Sequence, residues 1–231
     1  MIIAVVGEKG GTGKSTIALN MVSYFLLQNK KVALLDADPQ KSVLSWADIR
    51  RETTTGKEQL LAIARTGKYI DREAQALAQD YNIVIIDTGG KDSIEMRKSL
   101  LAADFIIIPI LPGQFEAWSI QTTIELFAEA QSFNEKLAGA IVLNRVPFIP
   151  KLKEKEYKEM FNFINEVLEE MKDSVNNLFV CQNYLVERID YKKTLSEGKG
   201  VVELENSKAK EEFIKLMEEI LLLFKKLNIA R

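Results

Sequence analysis

The sequence predicts an α/β fold in which helices cover both faces of a doubly wound, mostly parallel sheet. Three observations predict it. Short apolar runs recur along the 231 residues, they alternate with longer helix-like segments, and two of them stop abruptly at an aspartate. Short, continuous apolar runs mark strands buried on both sides. Their alternation with helices favours parallel pairing through crossover connections.

The elements follow in order along the chain. Residues 2–6 read as a strand, 7–13 as a glycine-rich loop and 14–28 as a helix. A second strand over 32–35 stops at Asp36, and a polar helix-like stretch covers 42–51. A weaker strand is expected over 60–64, a helix over 70–80, and a strand over 83–86 that stops at Asp87. Beyond these come a strand over 105–110, a helix over 117–131 and a strand over 140–143. A helix over 157–171, a short strand over 178–180 and an amphipathic helix over 208–227 complete the series. The proline-bearing stretch 146–151 reads as a loop. No linker, repeat or low-complexity tract breaks the pattern, so residues 1–231 read as a single domain. Right-handed crossovers bring the strand ends to one edge, where one pocket can receive the glycine loop and both aspartate corners.

Composition narrows the chemistry. Hydrophobic residues make up 47% and charged residues 28%, suited to a sizeable core with a solvated surface. The chain has no histidine and one cysteine, Cys181. Imidazole-based zinc sites, histidine-activated nucleophiles and internal disulfides are therefore excluded. Acid–base work falls to Asp, Glu, Lys or an activated water. The net charge of −2 means that any nucleic-acid contact must come from a local basic patch. No secretory leader and no apolar run of membrane-spanning length is visible, and the expected compartment is the cytoplasm.

Glu8-Lys9-Gly10-Gly11-Thr12-Gly13-Lys14-Ser15-Thr16 lies between a strand and a helix, the context of a phosphate-binding P-loop. Gly10, Gly11 and Gly13 let successive N–H groups turn inward toward phosphate oxygens, and the helix start adds partial positive charge. Lys14 would reach the β- and γ-phosphates of ATP, Ser15 would ligate Mg2+, and Thr12 and Thr16 line the same cradle. The general pattern places its first glycine at position 8; here it falls at Gly7, and the run Lys9-Gly10-Gly11 compensates. The fold expected is thus a P-loop NTPase.

Asp36 and Asp38 stand two residues apart, so their carboxylates share one side of an extended segment facing the Mg2+ and γ-phosphate region. Pro39 biases Asp38 toward an extended backbone. Asp87, closing an apolar strand, has the form of a Walker B aspartate that holds Mg2+ through a water. Thr88-Gly89-Gly90 follows it. These glycines either let the backbone sense the γ-phosphate or form a plain flexible turn.

The run Lys9–Ser15 resembles the deviant Walker A motif of the ParA/MinD superfamily of ATPases. The resemblance implies that Lys9 reaches across a nucleotide-bound homodimer to the partner's phosphates, as a second catalytic cation beside Lys14; the alternative is a solvated loop lysine. Asp36-Ala37-Asp38-Pro39-Gln40 is similar to the family's Asp-x-Asp-Pro-Gln pattern. It implies Asp38 as the water-positioning residue and Asp36 as a partner of Mg2+. Ile108–Pro112 resembles the strand and proline corner after the second switch. Val142-Leu143-Asn144-Arg145 resembles a strand end where Asn144 reads the adenine edge; a turn role for Asn144 is the alternative.

Residues 188–194 and 198–203 loosely resemble the C-terminal part of ParA proteins, and nothing resembling an N-terminal DNA-binding domain precedes the loop. The resemblance is therefore to the short form of the family. The resemblance implies ATP-driven dimerisation, nonspecific DNA binding, nucleoid association, and hydrolysis stimulated by a centromere-bound ParB-like partner. The candidate DNA patch is Arg188, Lys192, Lys193 and Lys199, with a solvated helix face as the alternative. A second reading is a MinD-like membrane-positioning ATPase that would use the amphipathic segment 213–227, whose acids oppose anionic lipid. Iron–sulfur relatives need more cysteine than Cys181 supplies. A small-molecule ligase on the same fold remains open.

Overall fold

A computed structural model describes residues 1–40, 42–54, 59–113 and 116–227. Seven strands form one sheet: β1 (Ile2–Val5), β2 (Val32–Asp36), β3 (Leu60–Ala64), β4 (Ile83–Asp87), β5 (Phe105–Ile110), β6 (Ala138–Leu143) and β7 (Leu178–Val180). Their order is β3-β2-β4-β1-β5-β6-β7, and every ladder is parallel. The chain runs to one side of β1 first and crosses to the other after β4. That reversal opens a crevice beyond the carboxyl end of β1, where such sheets bind ligands.

Among the described residues, eight helices cover the sheet: α1 (Lys14–Leu27), α2 (Ser42–Thr53), α3 (Ile70–Asp80), α4 (Ile94–Ala102), α5 (Glu116–Gln131), α6 (Pro150–Glu170), α7 (Ile189–Ser196) and α8 (Lys208–Lys226). A short 3-10 turn spans Val201–Glu203. Ile3, Val5, Leu34 and Ile85 face a core shared with Phe25, Trp46, Phe213 and Phe224, from α1, α2 and α8. Ile2, Ala4, Leu35 and Ile86 point to the other side, against Ile70, Met96, Phe127 and Ile164 of α3 to α6. Alternate residues of each strand thus feed opposite cores.

Two helices, α4 and α7, were not evident from periodicity, and a third, α6, starts earlier than the pattern implied. Helix α4 is short and buries Met96, Ser99, Leu100 and Ala102, and its start is fixed by Ser93, whose Oγ accepts the Met96 N–H at 3.1 Å. Helix α6 begins at Pro150 rather than near residue 157. The proline that suggested a loop occupies the first turn, where its missing N–H costs nothing. Helix α7 occupies part of the segment that only a family likeness had marked.

Helix α8 buries Phe213, Leu216, Met217, Ile220 and Phe224 in the first core. Burying such a side chain contributes about 1.5–3 kcal/mol. The apolar face that a membrane-surface helix would offer to lipid is therefore committed to the sheet. Among the described residues, no helix is long and apolar enough to cross a membrane.

Candidate active site

The loop after β1 curls over the N-terminus of α1. Gly13 is its N-cap, with φ 94°, a left-handed conformation that glycine adopts at no steric cost. A Cβ there would also collide with Nδ2 of Asn144. Glycine is therefore required at this position twice over.

The end of β6 holds the loop from the side. Asn144, 6% exposed, donates Nδ2–H to the Thr12 carbonyl at 2.7 Å. Arg145, at φ 53°, reaches the Gly11 carbonyl at 3.2 Å. Two successive loop carbonyls are thus gripped from one strand end. The structure gives the Asn144 amide a loop-holding contact, which the sequence did not disclose.

Lys14 is buried, and its ammonium donates to the Lys9 carbonyl at 2.8 Å. Burial lowers its pKa, opposed by the charges of Asp87 and Asp38. Lys9 itself is exposed at the rim of the loop. Lys9 and Lys14 are therefore arranged differently: Lys14 is buried, whereas Lys9 is exposed.

Asp36 and Asp87 are register partners on β2 and β4, both fully buried. Their surroundings differ. Asp36 accepts the Asp38 N–H at 3.1 Å and the Val43 N–H at 3.3 Å, tying the turn and the start of α2 together. Burial raises its pKa, and these N–H donors oppose the rise. Asp87 has two buried carboxylate oxygens with no hydrogen-bond partner among the described residues. The Ser15 hydroxyl favours its charged form, although no contact of hydrogen-bond geometry reaches either oxygen. Burial, aided by the charges of Asp36 and Asp38, pushes the Asp87 pKa up to about 7.

Asp38 follows at the mouth of the crevice, where its Oδ1 accepts the Gln40 N–H at 2.9 Å. Thr88 is pinned to β1 through its hydroxyl, which donates to the Val5 carbonyl at 2.9 Å. Gly90 lies hard against the phosphate loop. A Cβ on it would fall 2.6 Å from the Gly10 nitrogen and 2.9 Å from the Lys9 carbonyl carbon. The turn after Asp87 is thus a packed contact with the loop rather than a free hinge.

Among the described residues, no three Asp, Glu, Cys or His side chains converge as a self-contained metal cage. Mg2+ in nucleotide sites needs no such cage, because phosphates and waters supply most of its ligands. The unsatisfied Asp87 oxygens beside Ser15 fit that requirement. Asp36 fits less directly, since both its oxygens already accept backbone N–H groups.

The basic residues singled out from the sequence run from Arg188, which caps the start of α7, along that helix and into the turn that follows. Lys192, Lys193 and Lys199 are exposed, and Lys199 makes a 3.2 Å surface pair with Glu197. Arg188 differs. Its Nε and Nη2 donate to Glu212 at 3.0 and 2.7 Å, and its guanidinium stacks 5.6 Å from the Phe148 ring centre. A fork bonded to a carboxylate in this way is not presented to phosphate. Cys181 is buried, and burial raises its thiol pKa well above the ordinary value. A groove of about 1020 Å³ lined by Met1, Phe25, Tyr81 and Phe224 lies at the amino end of the strands and contains none of these residues.

Residues 3–202 match the family described as the CobQ/CobB/MinD/ParA nucleotide binding domain. Maintenance of carboxysome distribution protein A from Halothiobacillus neapolitanus is 34% identical over 147 residues, covering 62% of this chain and 65% of that protein. Protein ParA from Rhizobium radiobacter is 27% identical over 202 residues, covering 85% and 83%. Among solved structures, the ATP complex of a Cyanothece McdA variant superposes with a TM-score of 0.72 at 17% identity, covering 95% of each chain. The Pyrococcus furiosus cell division ATPase MinD gives 0.66 at 18% identity, covering 96% and 98%. With its phosphate loop, aspartate corners and sheet order all in place, the chain belongs to the CobQ/CobB/MinD/ParA nucleotide-binding family, as an ATPase of the ParA/MinD kind.

Proposed function

We propose that this chain is a DNA-segregation ATPase: ATP closes a homodimer, the dimer holds DNA without sequence preference, and a partner protein triggers hydrolysis and release. The observation that carries the reading is the placement of Lys9. It stands exposed at the rim of a loop whose pocket Lys14 already fills, where a second subunit's phosphates can meet it. The names of two relatives, one for carboxysome distribution and one ParA, support a role in partition or positioning. A ParB-like protein bound to the cargo is the proposed partner.

The residues divide the work as follows. Loop N–H groups from Gly10 to Thr16 receive the phosphates, with Lys14 over the β- and γ-phosphates. Ser15 and Asp87 would hold Mg2+, with Asp36 behind them. When bound, Mg2+ offsets phosphate charge that would otherwise oppose attack on the γ-phosphorus. Asp38 orients the attacking water, and Lys9 from the second subunit neutralises charge spreading onto the γ-phosphoryl oxygens. Asn144 keeps the loop in shape and offers its carbonyl oxygen to the base.

For DNA, the patch reduces to Lys192, Lys193 and Lys199, repeated twice in a dimer. DNA retention by Lys192→Glu/Lys193→Glu should fall steeply at low salt while nucleotide binding is unchanged. Unchanged retention would remove the patch. ATPase activity that is strictly linear in protein concentration and indifferent to DNA would count against the whole scheme.

A further inference from the structure

Arg50 is a large cation sealed from solvent, with 1% of its side chain exposed. Its partners come from late in the chain. Nη1 donates to the Gly198 carbonyl at 2.9 Å, and Nη1 and Nη2 donate to Glu203 at 2.9 and 3.1 Å. Trp46, one turn earlier on α2, places its ring centre 5.2 Å from the guanidinium and donates Nε1–H to the Lys199 carbonyl at 3.3 Å. Helix α2 therefore grips the turn over 198–203 through Gly198, Lys199 and Glu203. The contact has no slack: a Cβ on Gly198 would lie 2.6 Å from the backbone nitrogen of Arg50.

The same turn is gripped by α1. Asn20 accepts the Val201 N–H at 2.7 Å, and a Cβ on Gly200 would lie 2.7 Å from the Ser23 side chain. Helix α1 starts at Lys14 of the phosphate loop. Helix α2 starts at Ser42, four positions after Asp38, and its Val43 N–H is tied to Asp36. One turn is thus fastened to both helices that leave the nucleotide site. It also continues from α7, since the Lys199 N–H donates to the Thr194 carbonyl at 2.9 Å.

We propose that Arg50 is a positioning residue that, through Gly198 and Glu203, makes the basic segment 192–199 follow the relative placement of α1 and α2, so that the nucleotide state sets whether this segment can hold a nucleic-acid backbone. Close-packed contacts transmit a helix displacement rather than absorb it. A buried, bidentate ion pair fixes geometry more than it adds stability. The DNA part of the proposal rests on the function proposed above.

The test compares wild type with Arg50→Lys, which keeps the charge and loses the fork, and with Glu203→Gln. Thermal melting first selects the folded variants. Affinity for a nonhydrolysable ATP analogue and for ADP is measured, then DNA affinity in each nucleotide state. Nucleotide affinity should stay within roughly threefold of wild type, while the ratio of DNA affinities between the two states falls by about fivefold or more toward unity. A folded variant with the wild-type ratio would overturn the proposal. Should wild type bind no DNA in either state, the DNA reading falls and amide hydrogen exchange decides the coupling alone. An ATP-dependent change in protection over 189–203 that is lost in Arg50→Lys supports it. The same change in both proteins refutes it.

Discussion

Asp36 and Asp87 sit side by side at the carboxyl ends of adjacent parallel strands, as register partners, yet only one has its oxygens engaged. Asp36 uses both on backbone N–H groups at the start of α2. Asp87 has none engaged among the described residues. The first organises the turn that carries Asp38; the second is the carboxylate proposed to meet Mg2+.

This contrast predicts a metal dependence. Chelation of Mg2+ should abolish hydrolysis, and Asp87→Ala should lower turnover by roughly 10–100-fold in a steady-state phosphate-release assay. Asp87→Ala with undiminished turnover would show that another group holds the ion.

A pH dependence follows from the same residue. The Asp87 carboxyl has its pKa raised from 3.8 to about 7 on folding. Between these values the folded chain binds a proton that the unfolded chain has released, so this group's contribution to stability falls as pH rises through that window. Without nucleotide or Mg2+, the melting temperature of Asp87→Asn relative to wild type should climb from pH 5 to pH 8. Groups common to both proteins cancel in the difference. A flat difference would mean that Asp87 finds a partner in solution.

Asn144 offers a choice between two roles. If its main work is gripping the Thr12 carbonyl, Asn144→Ala leaves that buried carbonyl without a donor, at a cost of about 1–3 kcal/mol. Nucleotide affinity measured by titration should then weaken roughly tenfold for ATP and GTP alike. Loss of ATP-over-GTP preference would instead identify a base-reading side chain.

The two glycines after Asp87 should respond differently to alanine. At Gly90 an added Cβ meets the Gly10 nitrogen at 2.6 Å, so the loop backbone must shift. At Gly89 the nearest atom is Asp38 Oδ1 at 3.5 Å, an ordinary contact. Gly90→Ala should lower turnover by about tenfold or more, and Gly89→Ala by much less. Equal effects would make the turn a hinge rather than a packed contact.

Lys9→Ala should keep ATP binding and lose most hydrolysis, because Lys14 alone fills the subunit's own pocket. Mixing Lys9→Ala with a protein able to bind ATP but disabled at Asp38 gives a further check. Mixed dimers should regain part of the activity, as one intact composite site is rebuilt. No recovery would place Lys9 in its own subunit's site.

The sequence by itself determined the strand–helix alternation, the phosphate loop and the aspartate corners. These are local: an apolar run ending in Asp87 and a glycine run ending in Lys14-Ser15 carry their meaning within a few residues. Pro150 was misread because a proline ends a helix and begins one equally well, and only the packing of α6 decides which. The grip of Asn144 on Thr12 spans 132 positions, and that of Arg50 on Glu203 spans 153. No periodicity encodes such pairs, although a tryptophan and an arginine four residues apart on one polar helix were a signal. Arg188 made the same point in reverse. Its charge was plain in the sequence, but its engagement by Glu212 depends on α8 lying alongside. Motif chemistry is written in neighbours along the chain, whereas the state of each charge is fixed by neighbours in space, which exist only once the sheet and its two cores have formed.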